Sequence, residues 1–452
     1  MTSMNKGLII CAVALFAGTV SAVAQESSGW TLKKCIEYAM ANNISLKKSG
    51  LTKESSIEDW KQAKANLLPS LSASTSHSLG YRPWVNDGVS TVNNGTVSTS
   101  VNKTYYNGSY SLSANWTVWN GNKNRNNVKL GELNERIAEL DSAATANTIQ
   151  EQIVQLYVQI LYTTEAVKVN KESYDISVQN EKRGKDMVAV GKMSKADLAR
   201  LTAQTAQDQY SIVEAESNLQ KYKTQLKQLL EITGDETFDV VVPEAPDEQA
   251  LATLPTLQSV YVSALATRPE IENIKLAIKS GELNIAIAKA ERMPTIGING
   301  GVMTSNTSMN DKSWGKQIKT NFDASVGATL SIPIFDNRSA RTAINKAKIQ
   351  QAQNMLDLTD KQKTLYSTIE GYWIDANTNQ QKFKAAKANV ESAQASFDLL
   401  NEQFSLGLKN ITELMEGKSS LLTAQQNMLQ SKYMAILDQQ LLNFYEGKAM
   451  DL

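Results

Sequence analysis

The chain has little of what catalysis or metal binding needs. It holds one histidine, His77, in 452 residues. Any Ser-His-Asp set would have to use that one side chain. Its two cysteines, Cys11 and Cys35, build no Cys/His cluster with metal-ligand spacing. The glycine run from Gly297 to Gly301 lies in an alternating segment and opens no helix, so it is no nucleotide loop. The expectation is therefore no enzyme, no cofactor and no metal. Lys plus Arg and Asp plus Glu both number 46, and no basic tract stands out. A nucleic acid held by its phosphates needs a basic face, so no nucleic-acid partner is expected. No run of eighteen apolar residues exists, so any crossing of a membrane must be made by strands. Of the eight prolines, none lies in 121–233 or after Pro333. Long unbroken helices require that absence.

What is present begins with a secretory signal. Lys6 gives a positive start, Leu8 to Phe16 an apolar core, and Ala22-Val23-Ala24 a small-x-small cleavage site, so the mature chain starts at Gln25. Ile10 is too bulky for a lipoprotein cleavage site before Cys11. After cleavage only Cys35 remains, which leaves no partner for an intramolecular disulfide. Cys35 sits in an amphipathic pattern and reads as a small buried side chain.

The rest of the chain is written twice. Leu32 matches Leu257, Ala39 matches Ala264 and Pro69 matches Pro294, each displaced by 225 positions. Further on the displacement becomes 216: Trp119 to Phe335, Tyr157 to Trp373, Gly191 to Gly407 and Leu198 to Leu414. Each copy has two helices stopping at a proline, two alternating strands, a long helix reaching a glycine, and a returning helix. The strands have period two. Leu71, Ala73 and Leu79 alternate with serines, Tyr106, Tyr110, Leu112, Ala114, Trp116 and Val118 with Asn, Ser and Thr. Ile296, Ile298 and Val302 alternate with Thr, Gly and Asn, and Phe322 through Ile334 with small polar residues. One face is apolar and the other wet. The wet face is made of small polar residues rather than Lys and Glu, which suits a water-filled lumen. The strands pair as two hairpins with polar loops over Arg82 to Tyr105 and Thr304 to Thr320. His77 shares parity with Leu71 and Leu79, which places it on the apolar face.

The expected organisation is a signal peptide over 1–24, then a first repeat over 25–233. That repeat holds a β-hairpin over 70–119, a long helix over 121–190 and a return helix over 194–232. A connector over 234–255 carries a short strand at Phe238 to Val242. The second repeat, over 256–447, holds a hairpin over 295–335, a long helix over 337–406 and a return helix over 411–445. A tail covers 448–452. A helix over 121–190 is roughly 105 Å long. Its apolar rows, Leu130, Leu133, Ile137, Leu140, then Ile149, Ile153, Leu156, Ile160, form the narrow stripe of coiled-coil packing. Four strands cannot close a barrel, and an open edge cannot face lipid, so the chain oligomerises or does not span.

The doubled order, the junctions LLPSLS, RMPTIGI and LSIPIFDNR, the turns VGKMSKADL and LGLKNITEL, and the stretch SAQASFDLLNEQFSLG resemble the TolC family of outer-membrane efflux and secretion channels. The resemblance covers nearly the whole mature chain. It implies an α+β membrane protein and a homotrimer in the outer membrane of a Gram-negative bacterium. Each subunit would give four strands to a twelve-stranded β-barrel embedded in outer-membrane lipid, and its helices to a periplasmic α-barrel. It further implies opening on docking to a periplasmic adaptor and an inner-membrane transporter. Efflux leads; the alternatives are a type I protein secretion component and a soluble periplasmic coiled-coil protein. On the family pattern, Asp398, with Glu402 one turn on, constricts the pore; the alternative is a solvated helix face. Val190, Gly191, Lys192 and Met193, with Leu406, Gly407, Leu408 and Lys409, are the expected adaptor contacts. Tyr105, Tyr106, Trp116 and Trp119 are candidates for membrane-interface aromatics or for packing on a neighbouring strand. Trp119-Asn120-Gly121 lacks the proline of the second junction, so the two halves are expected to kink differently.

Overall fold

In the computed structural model, which describes residues 29–84, 89–92, 95–98, 103–234, 238–243 and 246–450, side-chain caps set the first helices. α1 (Leu32–Asn42) starts where the Thr31 side chain accepts from the Lys34 amide. α2 (Ile44–Ala65) starts at Asn43, whose side-chain Oδ1 accepts from the Ser45 and Leu46 amides. Caps of this kind satisfy amides that the helix itself leaves unpaired. The expected signal peptide over 1–24 lies outside the described residues.

Past Pro69 the chain enters β1 (Ser70–Tyr81), then β2 (Val89–Val92), β3 (Gly95–Ser98) and β4 (Thr104–Trp119). β2 and β3 pair antiparallel inside the segment expected to be loop. Two four-residue strands around a polar pair are too short for period two to register. The first long helix, α3 (Lys123–Ala189), turns back into α4 (Lys195–Leu229). The connector makes one parallel bridge, Trp30 to Val240, rather than the expected strand. It then forms a single helical turn, α5 (Asp247–Ala250).

The second half repeats the plan: α6 (Leu257–Thr267), α7 (Pro269–Ala290), β5 (Thr295–Thr307), α8 (Trp314–Thr320), β6 (Asp323–Ser331), α9 (Ser339–Ser405) and α10 (Ile411–Glu446). The expected loop from Thr304 is shorter than foreseen, because β5 runs on to Thr307 and α8 occupies its end. β6 stops at Ser331, so Ile332 and Ile334 leave the ladder. Pro333 lacks the amide that a further rung needs. The two long helices each contain 67 residues, roughly 100 Å of rise.

Both strand-to-helix junctions are built alike. Gly121 and Asn122 are left-handed at φ 63° and 65°, and Asn337 and Arg338 at φ 50° and 71°. The helix starts are thus alike, while the strands leading into them differ, β4 running to Trp119 and β6 stopping at Ser331. Two successive left-handed residues make the turn in each half, whether or not a proline precedes it. Only Gly fits at position 121, where a Cβ would lie 2.6 Å from Met293 Cβ.

The main core lies at mid-height. Ile149, Ile153, Tyr157, Ile160 and Leu161 of α3 pack on Leu32, Cys35 and Ala39 of α1 and on Leu226 and Leu230. The Tyr157 hydroxyl donates to Val241 O at 2.7 Å, tying the connector down. Cys35 is fully buried there, and burial pushes its thiol up to about 12. A second cluster joins α6, α9 and α10 through Val260, Ile369 and Leu442. Arg268 links the halves: it bonds Glu151 at 2.9 Å and lies 3.7 Å from the Tyr445 ring centroid.

Candidate functional site

The sheet has the order β1-β4-β5-β6, all antiparallel, with β1 and β6 left as open edges. Register carries the sequence alternation across all four strands. Leu71, Ala73 and Leu79 stand opposite Ala114, Leu112 and Tyr106, and Val302, Gly300 and Ile298 continue that face to Ala324, Val326 and Ala328. The other face is Ser, Thr, Asn and Gly with few exceptions, as Ser72 opposite Ser113 and Asn299 opposite Gly327 show. The apolar face is uncovered: Leu79 is 77% exposed and Val326 85%. An uncovered apolar sheet face above a small polar one is what a wall between lipid and water needs.

The candidate interface aromatics divide between the faces. Tyr106 pairs with Leu79 on the apolar side, where its hydroxyl meets His77 Nδ1. Tyr105 pairs with Gly80 on the polar side, with Arg82 over its ring at 4.5 Å. A bulge between Thr117 and Trp119 brings Trp119 opposite Ile296, on the same side as Trp116. The Trp116 indole donates to Leu67 O at 2.9 Å, at the helix end of the sheet.

At the far end of the helices, both turns close in the same way. Lys192 N donates to Met187 O and Gly191 N to Val188 O; Leu408 N donates to Gln403 O and Gly407 N to Phe404 O. Each is a Schellman turn with glycine left-handed, at φ 75° and 76°. α4 is then capped by Ser194 on Asp197 N, and α10 by a reciprocal Asn410–Glu413 box. Val190, Leu406 and Leu408 project into solvent from these turns, with Gly191, Lys192 and Gly407 exposed between them. Met193 instead tucks against the tip core of Leu201, Phe397, Phe404 and Ile411. Lys409 is held by Glu413 at 2.5 Å.

Asp398 and Glu402 lie on the exposed side of α9, away from the hairpin core that buries Phe397 and Phe404. Glu391 continues the same exposed row, so three carboxylates run along the last turns. Gln394 Nε2 donates to Asp398 Oδ1 at 2.9 Å. Arg183 reaches Asn401 across the two hairpins at 3.4 Å.

Two polar sites in this region escape the hydrophobic pattern. Asp208 of α4 is buried and receives Lys418 of α10, Ser177 Oγ of α3 at 2.6 Å and Gln204 Nε2 at 2.8 Å. This clasp joins the first helical hairpin to the second. Burial holds the Lys418 amine below its ordinary range, with Asp208 opposing that shift. A trace was legible: Lys418 stands between Leu414 and Leu421 on a row that should be apolar. Higher up, Asp438 is buried, accepts from Asn379 Nδ2 at 2.8 Å, and has its carboxyl pushed up to about 6 by burial, with Asp375 adding to the shift.

Comparison with known proteins fits this architecture. Residues 35–231 and 260–447 match the family described as outer membrane efflux protein. The chain is 23% identical over 436 residues to the outer membrane efflux protein BepC of Brucella suis biovar 1 (strain 1330), covering 94% of this chain and 87% of that one. It is 21% identical over 434 residues to the outer membrane protein TolC of Escherichia coli (strain K12), covering 93% and 83%. The solved structure of CusC, a protein that forms a transmembrane channel, superposes with a TM-score of 0.78 at 17% identity over 92% of each chain. At that identity the likeness speaks to the fold.

Proposed function

Because this chain belongs to the outer membrane efflux protein family, we propose that it is the passive conduit of a tripartite efflux system. It is an outer-membrane channel protein and not an enzyme. The observation that carries the fuller reading is the four-stranded sheet with two open edges, one uncovered apolar face and one small polar face. An open edge in lipid leaves backbone groups unpaired at several kcal/mol each. Three copies remove every edge by pairing β1 of one with β6 of the next, which makes twelve strands from the four of each chain. The polar faces then line a lumen, and α3, α4, α9 and α10 continue it below the membrane. Tyr106, Trp116 and Trp119 sit on the lipid side near the two rims, which supports an interfacial role for them.

At the tip, Asp398 and Glu402 form anionic rings that narrow the pore and favour cations. The exposed turn residues Val190, Lys192, Leu406 and Leu408 meet the periplasmic adaptor, and an inner-membrane transporter supplies the energy. Membrane fractionation tests the whole reading: the protein should be released only by detergent and migrate as a heat-sensitive trimer. Recovery in the soluble periplasm would sink it. Crosslinkers at Lys192 and Lys409 should trap an adaptor in cells, and failure at both removes the docking assignment.

A further inference from the structure

The boundary between sheet and helices carries a feature that efflux does not explain. β6 ends at Ser331 and α9 begins at Ser339. Between them lies a groove of about 490 Å³ whose lining includes Arg292, Arg338 and Arg341, together with Ile334, Phe335 and Asp336. All three arginine side chains are exposed, and none makes an ion pair or side-chain hydrogen bond among the described residues. The one carboxylate in the groove is engaged elsewhere: Asp336 accepts from the Arg338 and Ala340 amides at 3.1 and 2.8 Å and so caps α9. Nearby Glu291 is paired with Lys123 at 3.1 Å. Beside the arginines, Ile334 is 96% exposed and Phe335 84%.

The height of the groove identifies its occupant. All four main strands end or begin at this level, at Ser70, Trp119, Thr295 and Ser331. It is therefore the lower rim of the apolar face. If that face meets lipid, as the efflux reading requires, this rim stands at the headgroups of the periplasmic leaflet. We propose that the groove binds the headgroup of an anionic phospholipid, with the phosphate among Arg292, Arg338 and Arg341 and the adjoining acyl chain on Ile334 and Phe335. Guanidinium forks match phosphate oxygens, and unpaired arginines lose no existing partner on binding. The opposite junction lacks the site. Positions 117–125 align with 333–341, and of the two arginines in that stretch only Arg341 has a counterpart, Arg125; Arg338 aligns with Asn122, and Arg292 with Leu67.

The test uses the full-length protein in bilayer discs of phosphatidylglycerol or of phosphatidylethanolamine, with retained lipid counted by native mass spectrometry. Phosphatidylglycerol should stay bound. Arg292→Gln with Arg341→Gln should weaken its retention at least about tenfold, while Arg125→Gln should leave it unchanged. Equal retention of the two lipids, or no effect of the double variant, overturns the site. So does displacement by millimolar inorganic phosphate, which would make it a free-anion site. Loss of the heat-sensitive trimer in the double variant would assign the arginines to a subunit contact instead. Failure of the unaltered protein to enter the discs at all would overturn the membrane reading, a separate outcome.

Discussion

Replacing Lys418 by methionine should loosen the helical tip far more than its position near one end suggests. In the clasp, Asp208 and Lys418 are each about nineteen-twentieths buried, with side-chain exposures of 5% and 6%. Removing the lysine leaves the Asp208 carboxylate with Ser177 and Gln204 as its donors and no opposing charge. Breaking one side of such a pair costs about 3–5 kcal/mol. The same holds for Asp208→Asn, with a ceiling. The stranded ammonium can lose its proton, and deprotonating a lysine of ordinary pKa 10.5 at pH 7 costs about 5 kcal/mol. Replacing both, Asp208→Leu with Lys418→Met, should restore stability to within about 1 kcal/mol, because it removes two desolvated charges together.

Hydrogen exchange of amides in 170–184, 201–212 and 411–424 reads this locally. A loss of about 3 kcal/mol speeds exchange there about a hundredfold. The sheet should be unaffected. The lowered Lys418 pKa fixes the pH sign. The fold favours the neutral amine more than the unfolded chain does. The penalty for charge is therefore full at neutral pH and fades as pH rises through the depressed folded pKa towards 10.5. The tip of the unaltered protein should gain protection across that window, and the double variant should not. Separating α4 from α10 breaks the clasp, so the single variants should also conduct more. Unchanged exchange in Lys418→Met, or a double variant no better than either single one, would refute the reasoning.

Asp398→Ala should raise single-channel conductance and reduce cation preference, and unchanged values in planar bilayers would return Asp398 to a solvated helix face. Asp438→Asn should raise the melting temperature at neutral pH and do nothing near pH 3. The Asp438 carboxyl rises from 3.8 to about 6 on folding, so its ionisation costs stability that grows between those values, of the order of 2–3 kcal/mol above pH 6. A melting difference independent of pH would remove burial as the cause. Gly407→Ala should cost about 1 kcal/mol from the left-handed backbone alone, since nothing lies within 4 Å of the added Cβ. Gly407→Asn should cost less, and equal costs in thermal unfolding would show that the turn does not hold its φ of 76°.

Much of this architecture was legible because it rests on period and punctuation. The proline gaps and the glycines at 191 and 407 mark two long helices and their turns. Strand parity survives in the register as far as the bulge between Thr117 and Trp119 and the end of β6 at Ser331. What stayed hidden is polar. The buried row Thr163, Val167, Asn170, Ser173, Ser177, Asn180 and Gly184 keeps heptad spacing with almost no hydrophobe. Small side chains let α3 and α4 approach closely there, so shape replaces hydrophobicity as the signal. The β2–β3 hairpin and α8 sit in Asn-, Ser- and Gly-rich text that reads as loop. The candidate tip residues could be placed only through the family resemblance, because an exposed carboxylate on a long helix has no signature of its own.

The two halves agree in backbone and diverge in charge. Helix length, Schellman turns and paired left-handed junctions recur at a displacement of 216. Asp398 aligns with Lys182, although Glu402 keeps an acid, Asp186. Asp208 aligns with Ala424, Lys418 with Thr202 and Ser177 with Ala393. The clasp is therefore possible only because the copies differ: each half supplies the charge the other lacks. A chain with two identical halves would have two equivalent hairpins and no reason to hold one against the other. Divergence at these few positions gives the second hairpin a distinct partner and a distinct charge.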